Sequence, residues 1–248
     1  MVTTITGIIR RFFSSFRLAA VAVPAAAAAA VLIGAAGPAG AATAAVAVPV
    51  PLGTAAHFAV LAASTVTNTG PTVVTGDLGL SPGTSVTGFP PGRVIGTVYT
   101  ADAVALQAQA DLTTAYNDAA AQPVTATIPT ELGGTTETSG VYNSAAGTFG
   151  ITGTVTLNAQ GNPAAVFIFK AASTLITASA SNVKLVNGAK AANVFWVVGS
   201  SATLGTYSAF KGNIMALASI TVTTGVTITG RALARTAAVT LDTDTITK

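Results

Sequence analysis

The sequence contains no cysteine and is poor in charged and aromatic residues. Of its 248 residues, 8% are charged, 6% are aromatic and one is a histidine. Without cysteine, a protein outside the cell cannot use disulfides, so its stability must come from its core and its hydrogen bonds. The lone histidine, His57, cannot form a histidine-rich metal site. This composition disfavours metal chemistry, so the neutral residues are the main candidates for function.

Positive charge is concentrated at the N-terminus. The formal net charge is +3, but Arg10, Arg11 and Arg17 precede residue 46, whereas all eight Asp and Glu follow it. Removing those three from the eleven Lys and Arg leaves eight, so residues 46–248 have a formal net charge of zero. The remaining cations are dispersed, without a basic run that could follow a phosphate backbone. We therefore expect no binding to nucleic acid.

Residues 1–45 are typical of a secretory signal peptide. Three arginines precede an uncharged run over residues 18–36, and small-residue stretches follow it. A run of this length could nearly span a bilayer, so a retained anchor is the alternative. Pro24 and the many alanines favour cleavage. The expected product is a secreted, extracellular protein with one domain over residues 46–248, free of the membrane.

Threonine recurs at regular intervals in the C-terminal half. The pattern Thr-aliphatic-x-Thr, with Leu204-Gly205 in its second copy, begins at residues 174, 203, 221 and 240, and a weaker copy begins at residue 156. A recurrence of about 20 residues in strand-forming sequence indicates a β-solenoid, in which each coil packs only against its neighbours. The threonines of successive coils would then lie in register.

One helix is predicted to interrupt the strands. Residues 101–121 contain no Gly or Pro, and apolar residues such as Leu112 recur there at helical spacing. Thr100 or Asp102 can cap its start, and Pro123 ends it. Apolar runs that suit strands covered on both sides occur at residues 166–169, 194–198 and 214–217. We expect the helix to pack against those strands.

Motifs in a fixed order along the chain carry a family resemblance. They lie at residues 52–62, 75–82, 87–89, 140–142, 166–169, 188–196, 210–214 and 230–234. Together they resemble the microbial ice-binding protein family. The resemblance implies a mainly β fold, a discontinuous right-handed β-solenoid of triangular section with coils out of sequence order and one long α-helix alongside. It also implies adsorption to the ice crystal surface and its ordered water, with freezing-point hysteresis and inhibition of recrystallisation. We expect the protein to be a monomer.

The repeat threonines are the candidate ice-binding residues. Coils stack about 4.8 Å apart, and alternate side chains along a strand are about 6.6 Å apart, so a ladder presents a flat lattice of hydroxyls and methyls. Threonine is stiff at χ1, so it loses little side-chain entropy on adsorption. Residues 224–227 also fit the family's Thr-Ala/Gly-x-Thr/Asn motif. The expected ice-binding surface comprises Thr174, Thr177, Thr203, Thr206, Thr221, Thr224, Thr227, Thr240 and Thr243.

These residues also allow interpretations other than ice binding. Threonine is a good strand residue and lines solenoids that bind nothing. Catalysis in a solenoid needs clustered ionisable groups, but Asp242 and Asp244 are expected to be solvated charges at an edge, and His57 to be structural. We expect no enzyme activity, no cofactor and no metal. A non-catalytic extracellular adhesin or structural module is the alternative function; Trp196 is expected in the core rather than on a sugar-binding face.

We predict that export removes the N-terminal segment. The mature protein should begin between about residues 40 and 48, because the charged start, the apolar run and the small-residue exit form one signal. N-terminal sequencing of protein recovered from the culture medium tests this. If the protein is recovered only as a full-length membrane species, the segment is an anchor instead.

Overall fold

The structure, a computed structural model, describes residues 46–248, which form a coiled stack of short parallel strands. The expected signal segment, residues 1–45, lies outside the described residues. The helix α1 spans Ala103–Ala121, and short 3-10 turns span Gly53–His57 and Ala191–Asn193. In chain order the strands are β1 (Phe58–Ala62), β2 (Thr65–Thr69), β3 (Val73–Thr75), β4 (Asp77–Leu80), β5 (Ser85–Thr87), β6 (Arg93–Ile95), β7 (Val98–Thr100), β8 (Ala126–Thr127), β9 (Thr136–Glu137), β10 (Gly140–Asn143), β11 (Phe149–Ile151), β12 (Thr154–Asn158), β13 (Phe167–Ala171), β14 (Leu175–Thr177), β15 (Asn182–Val186), β16 (Val194–Val198), β17 (Ala202–Leu204), β18 (Ala209–Ala216), β19 (Ile220–Val222), β20 (Thr227–Ala234), β21 (Val239–Asp242) and β22 (Thr245–Thr247).

The coils contribute strands to three faces. The first, which we name the threonine face, is the seven-stranded sheet β11-β14-β17-β19-β21-β2-β5. The second face contains β9, β12, β15, the first halves of β18 and β20, β22, β3 and β6. The third face contains β8, β10, β13, β16, the second halves of β18 and β20, β1, β4 and β7. This confirms the mainly β solenoid, while its right-handed sense stays a prediction.

The last coil of the chain stacks on the first. Strands β20, β21 and β22 pair with β1, β2 and β3, respectively, although these strands are separated by most of the sequence. From there β4 to β7 extend the stack to one end, and α1 leads the chain to β8 at the other end. The prediction that coils are contributed out of sequence order is confirmed.

The helix α1 lies along the third face, as predicted. It begins after Asp102, whose carboxylate accepts a hydrogen bond from the Ala105 backbone N–H (2.8 Å), and it ends two residues before Pro123. Its 19 residues extend about 28 Å, or about six strand spacings. Small side chains on its buried face let it approach the strands closely; that face consists of Ala105, Ala108, Gln109, Leu112, Ala115 and Ala119.

Strands of the third face are buried on both sides. Leu112 of the helix belongs to an outer apolar cluster that includes Ile168 and Phe195. On the inner side, Trp196 stacks on Phe169 with ring centroids 4.3 Å apart, inside the solenoid core. The continuous apolar runs are therefore explained by double coverage, and the prediction that Trp196 is a core residue is confirmed.

Two glycines turn the chain from the second face to the third. Gly212 in β18 pairs with Gly230 in β20, and both have positive φ angles, 119° and 141°. A Cβ atom added to Gly230 would lie 2.0 Å from the Gly212 carbonyl oxygen. Glycine at this corner lets consecutive coils stack without steric conflict.

Asp244 is a buried residue that links neighbouring coils at the corner between the threonine face and the second face. It is only 1% exposed, and its carboxylate accepts backbone hydrogen bonds from Val226 (2.9 Å) and Asp242 (2.8 Å). Its own N–H donates to the Thr72 hydroxyl of the neighbouring coil (3.0 Å). The expectation of a solvated edge charge is therefore wrong for Asp244, because the N-terminal coils stack over the last coil. Burial raises the pKa of Asp244 to about 7, although the two N–H donors oppose the shift.

We predict that Leu112→Asp lowers the free energy of unfolding by about 3 kcal/mol or more, because it places a charge against apolar strands. Leu112 is 0% exposed, whereas Leu106 on the same helix is 61% exposed. Leu106→Asp is the matched control and should change stability by less than about 0.5 kcal/mol. Denaturant unfolding measures both variants. Equal stability of Leu112→Asp and Leu106→Asp would show that the helix does not dock as described.

We predict that stability falls as pH rises from 5 to 8. A carboxyl whose folded pKa is raised from 3.8 to about 7 stabilises the fold fully below pH 3.8, and this contribution is lost as pH rises through 7. The expected loss between pH 5 and pH 8 is about 2 kcal/mol, measured by urea unfolding. Asp244→Asn should be less stable at low pH and should lack most of this dependence. A variant with the same pH dependence as the parent would assign the titration to another group.

Candidate functional site

A row of five threonines runs across the threonine face. Backbone pairing aligns these residues on adjacent strands β17, β19, β21, β2 and β5. Neighbouring members are about 4.8 Å apart, so the row extends about 19 Å along the stack. We name it the threonine row; its members are Thr203, Thr221, Thr240, Thr67 and Thr87.

Strand alternation directs the row outward. Ala202 and Leu204 lie on either side of Thr203 and are fully buried in the core. The same alternation holds around Thr221 and Thr240. Because successive side chains of a strand point to opposite sides, the row threonines face solvent. The core residues thus fix the orientation of the row.

The hydroxyls of the row are available to solvent. Within residues 46–248, no protein group hydrogen-bonds to any of the five. By contrast, the Thr223 hydroxyl, just beyond β19, donates to the Leu204 carbonyl oxygen (2.7 Å). Beside the row, the hydroxyls of Ser201 and Ser219 bond to each other (2.9 Å). The row therefore differs from its surroundings in having free donors and acceptors in a straight line.

The row ends at an aliphatic residue on one side. Ile176 pairs with Thr203 and is 53% exposed, and Gly150 follows it on β11. No charged residue occupies the row or these two further positions. The threonine row is consequently neutral, with a methyl group beside each hydroxyl, and the first charge along this line is Glu131, which is bridged to Gly150.

The second threonines of the repeats lie at the corner towards the second face, where they support the turn. Thr206 donates from its hydroxyl to the Ser179 hydroxyl (2.8 Å). Thr224 and Thr243 donate to the two carboxylate oxygens of Asp242 (2.5 and 3.0 Å). Because these hydroxyls are used within the protein, the corner is less free than the row to bind an external surface.

The same corner repeats a left-handed backbone position in successive coils. Residues there have φ near +60° or above, a conformation that glycine adopts most easily. Yet Tyr207 occupies it with φ 58° and a side chain that is 71% exposed. The corner residues in adjacent coils are Gly153, Ala180, Tyr207, Gly225, Thr243, Gly70 and Gly88. This turn separates the two outer faces at a fixed place in every coil.

Two of the predicted site residues do not lie on an open face with the row. Thr174 precedes β14, and the residue that pairs with Thr203 is Ile176, two positions later, so its predicted register is wrong. Thr177 is buried, and its hydroxyl accepts a hydrogen bond from the Gly205 N–H (2.9 Å). The spacing of the repeats does not give the register here, because this coil contains an additional segment, residues 187–193, between β15 and β16.

Sequence reasoning also missed part of the row. Thr67 and Thr87 continue it on the N-terminal coils, which the repeat comparison did not include. The alternation of threonines at residues 65, 67 and 69 was the available signal. Thr227, by contrast, faces outward on the second face, in line with Thr245. The structure therefore divides the nine predicted residues between a row, a corner, a second face and buried or flanking positions.

A small pocket beside the helix brings His57 and Asp77 together. The pocket has a volume of about 290 Å³. The Asp77 carboxylate accepts a hydrogen bond from the Thr97 N–H (2.9 Å), and the Thr54 hydroxyl donates to Asp111 (2.7 Å). These polar groups thus serve local structure. Among residues 46–248, no three His, Asp or Glu side chains are grouped to hold a metal ion. In that range, no helix has the length and apolar character needed to cross a bilayer.

Comparison with known proteins gives one consistent result. A sequence model for the family described as ice-binding-like matches residues 60–247. An ice-binding protein of Nostoc sp. (strain HG1) is 54% identical over 197 residues, covering 79% of this chain and 72% of the relative. The crystal structure of an ice-binding protein from an Antarctic biological consortium aligns with a TM-score of 0.80 at 51% identity, covering 82% of this chain and 92% of that one. That of an ice-binding protein from Antarctomyces psychrotrophicus aligns with a TM-score of 0.78 at 45% identity, covering 81% and 98%.

Proposed function

The chain belongs to the ice-binding-like family, and from that membership we propose that it is a secreted, non-catalytic protein that binds ice through the threonine row. The expected consequences are freezing-point hysteresis and inhibition of recrystallisation. The bound partner is the ice surface with its ordered water. Export rests on the sequence of residues 1–45 alone.

The observation that carries the proposal is the line of five outward hydroxyls without protein partners. Each hydroxyl can donate and accept, so each can join the hydrogen-bond network of water at an ice surface. Their fixed spacing presents these groups as a lattice rather than as independent sites. A water layer held on such a lattice can match an ordered surface over its whole length.

Rigidity makes many weak contacts effective. The row threonines stand on strands that pair on both sides, except at the edge strand β5, and their χ1 angles are restricted by β-branching. Little side-chain entropy is therefore lost on adsorption. Contacts on one rigid body act together, so the protein leaves the surface only when all of them break at once.

The absence of charge favours the threonine row over the second face as the ice-binding surface. The outward positions of the second face include Lys184 and Arg93, whose strongly hydrated charges oppose close approach to ice. The threonine row carries methyl groups at every hydroxyl and no charge. Desolvating it therefore costs less, which favours the row as the adsorbing surface.

We predict that Thr221→Tyr or Thr67→Tyr reduces thermal hysteresis by more than about fivefold, because a ring in the row holds a flat face away from the crystal. Thr67 tests whether the N-terminal coils belong to the surface. Thr229→Tyr is the matched control, being the same change at an exposed strand position on the second face, and should retain activity. Thermal hysteresis and recrystallisation inhibition are measured, with circular dichroism to verify folding.

The outcomes separate the alternatives. Loss in Thr221→Tyr and Thr67→Tyr with retention in Thr229→Tyr supports the threonine row. The reverse pattern moves the ice-binding surface to the second face. If the folded parent protein is inactive in both assays, ice binding is rejected in favour of an extracellular adhesin.

A further inference from the structure

The second face carries lysines on β15 and β18, an arginine on the edge strand β6, and threonines on the strands between them. Asn182 of β15 pairs with Ala209 of β18, so Lys184 and Lys211, two residues farther along, occupy equivalent positions on adjacent strands. Their neighbours in sequence, Val183 and Phe210, are buried, which directs both lysines outward. Like charges at opposed positions of neighbouring strands are normally unfavourable. The fold therefore tolerates a concentrated positive charge at this point.

The rest of the face continues from the lysines in straight rows. Lys211 pairs with Thr229, which pairs with Thr247, which pairs with Thr75. On β6, one strand farther, the residue that pairs with Thr75 is the exposed Ile95, whereas Arg93, two residues earlier and also exposed, pairs with Val73 and lies beside this row. From β15 to β6 there are five strand spacings, about 24 Å. A track thus runs along the stack, with Lys184 and Lys211 towards one end and hydroxyls in the middle. At the other end it reaches Ile95, and the guanidinium of Arg93 lies beside it, about 6.6 Å out of line along β6.

Acidic groups are absent from this track. Among the described outward positions of the second face there is no Asp or Glu; Glu137 on β9 pairs with Leu157 and so lies on the inward side of its strand. Acids concentrate elsewhere, for example at Asp111 and Asp118 on α1, a helix without Lys or Arg. Residues 46–248 are neutral in sum, yet the charge is segregated, and the second face is its positive side.

We propose that the second face binds a linear acidic polysaccharide, lying along the solenoid axis between the lysine pair and Arg93. The cations would pair with carboxylates of the polymer, while Thr229, Thr247 and their neighbours would exchange hydrogen bonds with sugar hydroxyls. This surface is separate from the threonine row, and the corner turns divide the two. The protein could therefore hold ice on one face and an extracellular polymer on another.

Charge density favours a polysaccharide over other polyanions. Duplex DNA carries about one charge per 1.7 Å, which a basic protein usually meets with clustered Lys and Arg. Here three cations are spread over about 24 Å of hydroxyl-rich surface. An anionic membrane is planar, whereas the track is narrow and straight. A polymer with spaced carboxylates and many hydroxyls fits both the charge and the hydrogen-bonding groups.

The test measures binding of the full chain to immobilised polygalacturonate at low salt and at increasing salt. Fully methyl-esterified polygalacturonate is the matched ligand without charge. The Lys184→Gln/Lys211→Gln variant should bind polygalacturonate at least about fivefold more weakly, with a shallower dependence on salt. Lys190→Gln, an exposed lysine in the turn after β15, is the control and should bind like the parent.

Each result either supports or overturns the proposal. Tighter binding to the acidic than to the esterified polymer, together with weakening in the double variant alone, supports it. No binding by the parent at low salt, equal binding to both polymers, or an unaffected double variant overturns it. Tighter binding to duplex DNA or to phosphatidylserine vesicles assigns the face to a different partner and overturns it as well.

The result does not depend on ice binding. The double lysine variant should keep the thermal hysteresis of the parent, and Thr221→Tyr should keep the polysaccharide affinity of the parent. Loss of both properties in either variant would mean that the two faces are not separate surfaces, contradicting the proposal.

Discussion

Parallel backbone pairing between coils is the constraint on which the rest of the structure depends. Because each coil hydrogen-bonds to the next at a fixed spacing, any position in one coil lies directly beside the same position in its neighbour. A residue type repeated at that position becomes a straight row. Threonine, glycine and aromatic residues all form such rows here, on the threonine face, at the corner and in the core. The regular rows on the surface therefore result directly from the regular backbone pairing of the coils.

Stacking of the last coil on the first extends this order. The pair Thr240 and Thr67 joins the two ends of the described domain within one row, and Asp244 is covered by Thr72 at the same junction. Arg231 adds a further tie, donating from its guanidinium to the Ala56 carbonyl oxygen (2.8 Å) and to the Asn213 side chain (2.8 Å). In a protein without disulfides, these contacts hold the discontinuous stack together.

Local features were predictable from the sequence, whereas register was not. Helix spacing and capping at Asp102 located α1 to within two residues, and the resemblance supplied the fold. Leu-Ile-Thr and Ala-Thr-Leu alternate equally well, so the offset of Thr174 depends on the length of the connection between β15 and β16 and on tertiary packing. Thr67 was missed because only the stacking of distant coils brings it beside Thr240. Burial of Asp244 arises from the same long-range contact.

The junction between β21 and β2 has a consequence for how the surface comes into being. The nascent chain cannot form the threonine row until its final coil has been synthesised. The middle of the row pairs residues from opposite ends of the domain. Closing so long a loop is slow compared with local pairing. The row is thus one of the last features to assemble. A chain truncated before Thr240 contains the other row threonines but cannot align them in one row.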